Sequence, residues 1–158
     1  MLEGRLMACP NPLATHNVAA MNLVVQLSGQ LPDELEVIHA LDVNLELAPP
    51  GQPGFVRRPD LIVVRRSRRS SLVTASEVVL VAEVLSPGSR YTDRRAKRAE
   101  YADAGIPFYW MIDLDKPVSL AAMRLAGEFG YQEAPAETRI YEAVEPFPLK
   151  IQVDRLTD

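Results

Sequence analysis

Glu83 stands inside the run Val78-Val79-Leu80-Val81-Ala82-Glu83-Val84-Leu85, in which every other residue is apolar. A run of this kind reads as a strand buried on both faces of a sheet. An ionised carboxylate there costs on the order of several kcal/mol unless it is paired or holds a cation. Asp60 has a similar setting, because Pro59-Asp60 opens the short apolar stretch Leu61-Ile62-Val63-Val64, and strands of this type pair side by side in α/β sheets. Two carboxylates on neighbouring strands offer the oxygen ligands that a hard divalent cation takes. Mg²⁺ in such a site keeps several waters, one to be activated and others to be displaced by a phosphate. The alternative for both carboxylates is salt bridging to nearby arginines. Residues i and i+2 share a strand face, so a basic group two positions after Glu83 would enter the same site. That position is Leu85.

The elements that must position these groups follow from apolar runs and turn residues. After a hairpin-like start near Gly4 to Met7, a helix is expected from about Thr15 to Ser28, ended by Gly29 and Pro32. Strands are expected near Glu36 to Leu47, Val56 to Arg66 and Val78 to Leu85. The turn Pro87-Gly88 leads to a helix from about Thr92 to Ala104, which Gly105 and Pro107 stop. Phe108 to Asp113 is a further strand, and Val118 to Leu125, Tyr131 to Ala134, Thr138 to Ala143 and Leu149 to Val153 form a closing antiparallel set. The fold class is α/β, a mixed sheet with helices packed on it. Trp110, Phe108 and Tyr109 read as core, and Ser86, with no histidine near it in the chain, as a turn residue rather than a nucleophile.

At 158 residues the chain forms a single domain, 1–158, long enough to bury a core. No apolar span approaches membrane-crossing length and the first residues lack a charged-then-apolar leader pattern, so the expected location is the cytoplasm. Cys9 is alone and excludes an internal disulfide, and with only His16 and His39 beside it a zinc site of the Cys/His type is not expected. The net charge of -4 conceals an asymmetry: between Arg57 and Arg98 lie eleven of the seventeen basic residues against four acidic ones. Such a segment can build a local positive field for a polyanion, or form a solvated arginine-rich loop.

Pro59-Asp60 followed by Glu83-Val84-Leu85, on this order of elements, resembles the PD-(D/E)XK nuclease superfamily, with leucine in its lysine position. The stretch Val81 to Pro87, then Asp93, Lys97 and Tyr101, then Ala104-Gly105-Ile106-Pro107-Phe108-Tyr109-Trp110-Met111-Ile112-Asp113, resembles the bacterial Uma-two family of restriction-like endonucleases. The likeness covers nearly the whole chain, although residues that usually precede Leu2-Glu3-Gly4 in that family are not in this sequence. The resemblance implies a restriction-endonuclease-like sheet flanked by helices, with additional antiparallel C-terminal strands. It also implies a metal site made by Asp60 and Glu83, with the backbone carbonyl of Val84 as a further ligand for Mg²⁺, or Mn²⁺ in its place. The missing strand lysine is expected on the following helix as Lys97. Asp93, Lys97 and Tyr101 are spaced by four residues and share a helix face, so Asp93 and Tyr101 would hold Lys97, which orients water and stabilises charge on the phosphate.

Each of these residues also has a plainer reading. Asp93 and Lys97 make an ordinary helix ion pair, Asp93 complements a helix dipole, and Tyr101 is core. His16 either approaches the site from the first helix or is a structural histidine. The expected activity is Mg²⁺-dependent endonucleolytic hydrolysis of nucleic acid, DNA in the first place, by a homodimer with no membrane association. Arg57, Arg58, Arg90 and Arg94 are the expected phosphate contacts. The alternative is a catalytically inactive nuclease-fold protein that binds nucleic acid or regulates.

Overall fold

The computed structural model describes residues 14–49, 51–52, 54–66, 72–85 and 92–158, and of 92–94 the backbone alone. Helix α1 (Ala14–Ser28) is followed by strands β1 (Leu35–His39), β2 (Val43–Asn44), β3 (Val56–Arg57), β4 (Leu61–Arg65), β5 (Val73–Thr74) and β6 (Val78–Leu85). A wide π-type turn (Thr92–Lys97) then runs into helix α2 (Arg98–Asp103). Strands β7 (Phe108–Asp113), β8 (Ser119–Leu125), β9 (Tyr131–Glu133), β10 (Ile140–Ala143) and β11 (Leu149–Gln152) complete the order. The expected start at Gly4 to Met7 and the turn at Pro87-Gly88 lie outside the described residues.

The main sheet has the order β1-β4-β6-β7-β8-β9. Only the central β6/β7 pair is parallel. All eight residues of β6 are buried, which is why its sequence shows no alternation. On one face, Leu80, Ala82 and Val84 pack with Trp110 and Ile112 against Ala19, Ala20, Leu23 and Leu27 of α1. On the other, Val81 and Leu85 join Tyr101, Ile106, Tyr109 and Met111, together with Val43 and Leu45 of the region around β2. Glu83 shares this second face by its position between Val81 and Leu85. Among the described residues no helix is long and apolar enough to cross a membrane.

The expected strand from Glu36 to Leu47 is two strands. Ala40 and Glu46 adopt positive φ, and the chain leaves the main sheet so that β2 pairs with β3 and β5 in a separate three-stranded sheet. The expected strand from Val56 to Arg66 divides likewise at Pro59, which has no N–H to give a ladder. The helix expected from Thr92 to Ala104 is α-helical only from Arg98 to Asp103. Gly105, at φ 74, ends it with Ile106 N–H returning to the Tyr101 carbonyl at 3.1 Å, a glycine C-terminal stop. The closing strands are not one set. β8 and β9 extend the main sheet, whereas β10 and β11 form their own hairpin. Gln26 of α1 and Gln30, just past its end, pair through their side-chain amides with the backbone of Gln152 and Lys150, satisfying β11 groups that would otherwise form an open strand edge.

Candidate active site

The antiparallel register of β4 and β6 sets Leu61 opposite Ala82 and Ile62 opposite Val81. Continued by one residue, it sets Asp60 opposite Glu83. Asp60 extends the ladder with its side chain, since Oδ2 accepts the Val84 N–H at 2.8 Å. The same oxygen lies 3.2 Å from Nε2 of His16, which the first turn of α1 presents to it. Among the described residues the buried His16 Nδ1 has no hydrogen-bond partner.

The hydrogen bond to Asp60 raises the His16 pKa from its ordinary 6.5, against the opposing effect of burial. A raised pKa in the folded state stabilises the fold fully below 6.5, and this stabilisation fades as pH rises through the raised value. His16→Gln should therefore lose more stability relative to the parent at about pH 5 than at about pH 9, measured by urea denaturation. An equal loss at both would mean that His16 acts by packing alone.

Glu83 is 2% exposed and both of its oxygens are bonded. The Tyr101 hydroxyl donates to Oε1 at 2.8 Å, and Lys97 Nζ lies 2.9 Å from Oε2. Tyr101 is itself fully buried and meets Tyr109 edge-on at 5.3 Å between ring centroids. Burial, followed by the negative charge of Glu83, holds its hydroxyl well above the usual tyrosine pKa, so it stays protonated and remains a donor. The turn and helix that carry Lys97 and Tyr101 are fastened on both sides. Glu100 takes two hydrogen bonds from Arg57 of β3 at 2.5 and 2.7 Å, and Arg98 donates to Glu133 at 2.8 Å and to the Tyr131 carbonyl at 2.7 Å. A cleft of about 200 Å³ opens past Leu85 at the strand ends, walled by Met111, Asp113, Ser119, Arg98 and Glu133.

The fold thus brings Asp60 and Glu83 to adjacent positions, places Lys97 and Tyr101 on Glu83 and His16 on Asp60, and gives the Val84 N–H to Asp60. Arg58 is not open to solvent on all sides either: it forks onto Asp42 at 2.8 and 2.9 Å. Arg90 and the side chains of Asp93 and Arg94 lie outside the described residues. Sequence reasoning missed Glu100 and the pairing of Arg57. The two are 43 residues apart, on elements whose contact no local periodicity announces. Among the described residues no group of three or more His, Cys, Asp and Glu side chains is gathered closely enough to cage an ion.

Comparison with known proteins agrees with this architecture. No curated protein matches the chain. Among solved structures it is similar to "a putative nuclease belonging to DUF820" from Anabaena variabilis, with a TM-score of 0.72 at 17% identity, over 99% of this chain and 87% of that one; at that identity the likeness is one of fold. The sequence itself matches the Uma2 (Uma-two) family, described as "putative restriction endonuclease", over residues 1–156. With a match across nearly its full length, and with a mixed sheet whose central strand carries Glu83 beside Asp60, the chain belongs to the Uma2 family.

Proposed function

We propose that this chain is a divalent-cation-dependent endonuclease of the cytoplasm that hydrolyses phosphodiester bonds in DNA. The observation that carries the reading is the contact of helix-borne Lys97 with the buried Glu83 carboxylate, 2.9 Å apart, next to Asp60 on the adjoining strand. A structural ion pair alone gives little reason to bury a glutamate in a strand that is otherwise wholly apolar, since such pairs seldom outperform hydrophobic packing.

The donor set fits a hard cation. Asp60 and Glu83 supply carboxylate oxygens and Val84 its backbone carbonyl. A site with two carboxylates, rather than a protein cage, is how Mg²⁺ is ordinarily held, with Mn²⁺ as a substitute. When bound, such an ion supplies Lewis-acid polarisation of the phosphate and lowers the pKa of a nearby water. The protein's own groups do the rest. The Val84 N–H fixes Asp60 and the Tyr101 hydroxyl fixes Glu83, so neither carboxylate has to reorganise during reaction. Lys97 orients the attacking water and places positive charge against the phosphoryl oxygens as they gain negative charge. The water oxygen bonds to phosphorus and releases a proton to solvent, the ester P–O bond breaks with its electron pair, and the departing oxygen takes a proton from solvent. A homodimer suits this reading, because two paired sites can meet both strands of a duplex in one encounter.

Leu85, 2% exposed where a strand lysine would stand, favours a second reading: a nuclease-fold module that binds nucleic acid without cutting it. Incubating DNA with the protein and Mg²⁺ or Mn²⁺ decides between them, since the enzyme yields cleaved product that Lys97→Ala does not. Both readings expect phosphate contacts from the arginine-rich segment. Arg58 is 64% exposed, and its partner Asp42 43%, so their pair is worth about 0–1 kcal/mol and can be exchanged for a phosphate. Replacing Arg58, Arg65, Arg66 and Arg95 by glutamine should flatten the dependence of log affinity on log salt by up to about 0.9 for every phosphate that is then left unneutralised. An unchanged slope in a filter-binding titration would return them to the role of solvated charges.

A further inference from the structure

Helix α2 has six residues, Arg98 to Asp103, and enters from a wide π-type turn. A helix this short has almost no stability of its own, so its place against the sheet is set by tertiary contacts. Yet it carries Tyr101, and Lys97 directly precedes it, both of which must meet Glu83 within hydrogen-bond distance. Position 100 lies between them in the chain. From there Glu100 accepts Arg57 Nε on one oxygen and Nη2 on the other, at 2.5 and 2.7 Å. The two side chains are only 10% and 19% exposed, which sets this pair apart from Arg58–Asp42 at 64% and 43%. A forked, charge-assisted pair shielded from water is strong and directional, and Arg57 has spent its fork on it.

We infer that Arg57 is a positioning residue rather than a phosphate contact: through Glu100 it locks α2, with Lys97 at its entrance and Tyr101 within it, onto Glu83. The anchor comes from a separate layer, since β3 belongs to the small β3-β2-β5 sheet. Against the opposing effect of burial, Glu100 and, more weakly, the Glu83 carboxylate raise the Arg57 pKa, which sets Arg57 beside the site it supports. The pair is thus a strut between the small sheet and the helix. Its kinetic consequence rests on the nuclease reading; its structural consequence does not.

The experiment is a double-mutant cycle on the full chain with Arg57→Ala, Glu100→Ala and both together, read in two ways. Acetylation by a small anhydride, quantified by mass spectrometry, reports the openness of Lys97; Lys116 and Lys150, the chain's other two lysines, are internal references. Each single variant is expected to raise Lys97 labelling severalfold relative to them, and the double variant is expected to go no further, as for two residues acting as one unit. In DNA cleavage the same variants are expected to lower kcat by about tenfold to a hundredfold, the scale of a displaced catalytic group, with KM little changed. Should Arg57→Ala not fold, Arg57→Lys, which keeps the charge but loses the fork, is expected to shift Lys97 labelling in the same direction. The inference is overturned if folded Arg57 variants leave Lys97 labelling at the parent level, or if Arg57→Ala raises KM while Glu100→Ala has no effect, the pattern of a phosphate contact. If the parent protein cuts no DNA yet the labelling pattern holds, the nuclease reading fails and the strut stands.

Discussion

Glu83→Gln is expected to lose cation binding and to cut DNA at least about a thousandfold more slowly than the parent, because it removes a charge worth several kcal/mol of transition-state stabilisation. Glutamine is the informative choice. It keeps the length of the side chain and an oxygen that can accept the Tyr101 hydroxyl now bonded at 2.8 Å, so Tyr101 keeps its acceptor while Lys97 loses the carboxylate oxygen it now faces at 2.9 Å. Glu83→Ala would leave the buried Tyr101 hydroxyl without its acceptor as well, and an unsatisfied buried donor costs about 1–3 kcal/mol more. A loss of activity in that variant would then mix chemistry with unfolding. Asp60→Asn provides the parallel test. It retains an oxygen for the Val84 N–H, bonded at 2.8 Å, while removing the second negative charge. Calorimetric titration with Mn²⁺ should give binding in the millimolar range or tighter for the parent and none for either variant. If all three proteins bind equally, the two carboxylates are structural and the site proposed here is wrong.

How much of this could be read from residues alone varies along the chain for physical reasons. β6 and β7 occur at the expected residues, Val78–Leu85 and Phe108–Asp113, since a strand covered on both faces leaves an unbroken apolar run. Gly105 marks the end of α2 for an equally local reason, the positive φ that its position requires. The positive φ of Ala40 and Glu46 has no such mark, as neither residue type announces it, and so β1 and β2 read as one strand. The departure of β10 and β11 from the main sheet is also invisible locally. The β11 edge is instead paired with Gln26 and Gln30, more than a hundred residues away. Within the site, the four-residue spacing of Lys97 and Tyr101 put them on one face, and both meet Glu83. The partners of Arg57 and His16 required the tertiary fold. Arginine-rich stretches in particular look alike whether they await a phosphate or, like Arg57, are already committed to a carboxylate.

Lys97→Ala is expected to keep cation binding and lose DNA cleavage, by about a hundredfold to a thousandfold, the scale on which removing one electrostatic donor slows a reaction. Lysine is not a ligand for a hard cation, so its loss leaves the carboxylate oxygens in place while removing the charge that, in the proposed reaction, faces water and phosphate. The variant should fold, because Lys97 is 17% exposed and Glu83 retains its bond from Tyr101. Some destabilisation follows from leaving a buried carboxylate with one partner fewer, and bound cation should restore part of it by mass action. Leu85→Lys in the Lys97→Ala background then tests where the charge is needed. Position 85 lies on the same strand face as Glu83, opposite Asp113 of β7, and its side chain borders the cleft at the strand ends. A lysine there can send its ammonium outward along the cleft while its methylene stem stays packed, and partial recovery of cleavage would mean that the charge, not the helix, is what the chemistry uses. Replacing a buried leucine costs about 2–5 kcal/mol when packing is lost, so a failed rescue is interpretable only with a thermal melt beside it. The single variant is decisive without that condition. If folded, cation-loaded Lys97→Ala cleaves DNA at the parent rate, the 2.9 Å contact with Glu83 is a structural ion pair, and the charge on the phosphate must be met by some other group.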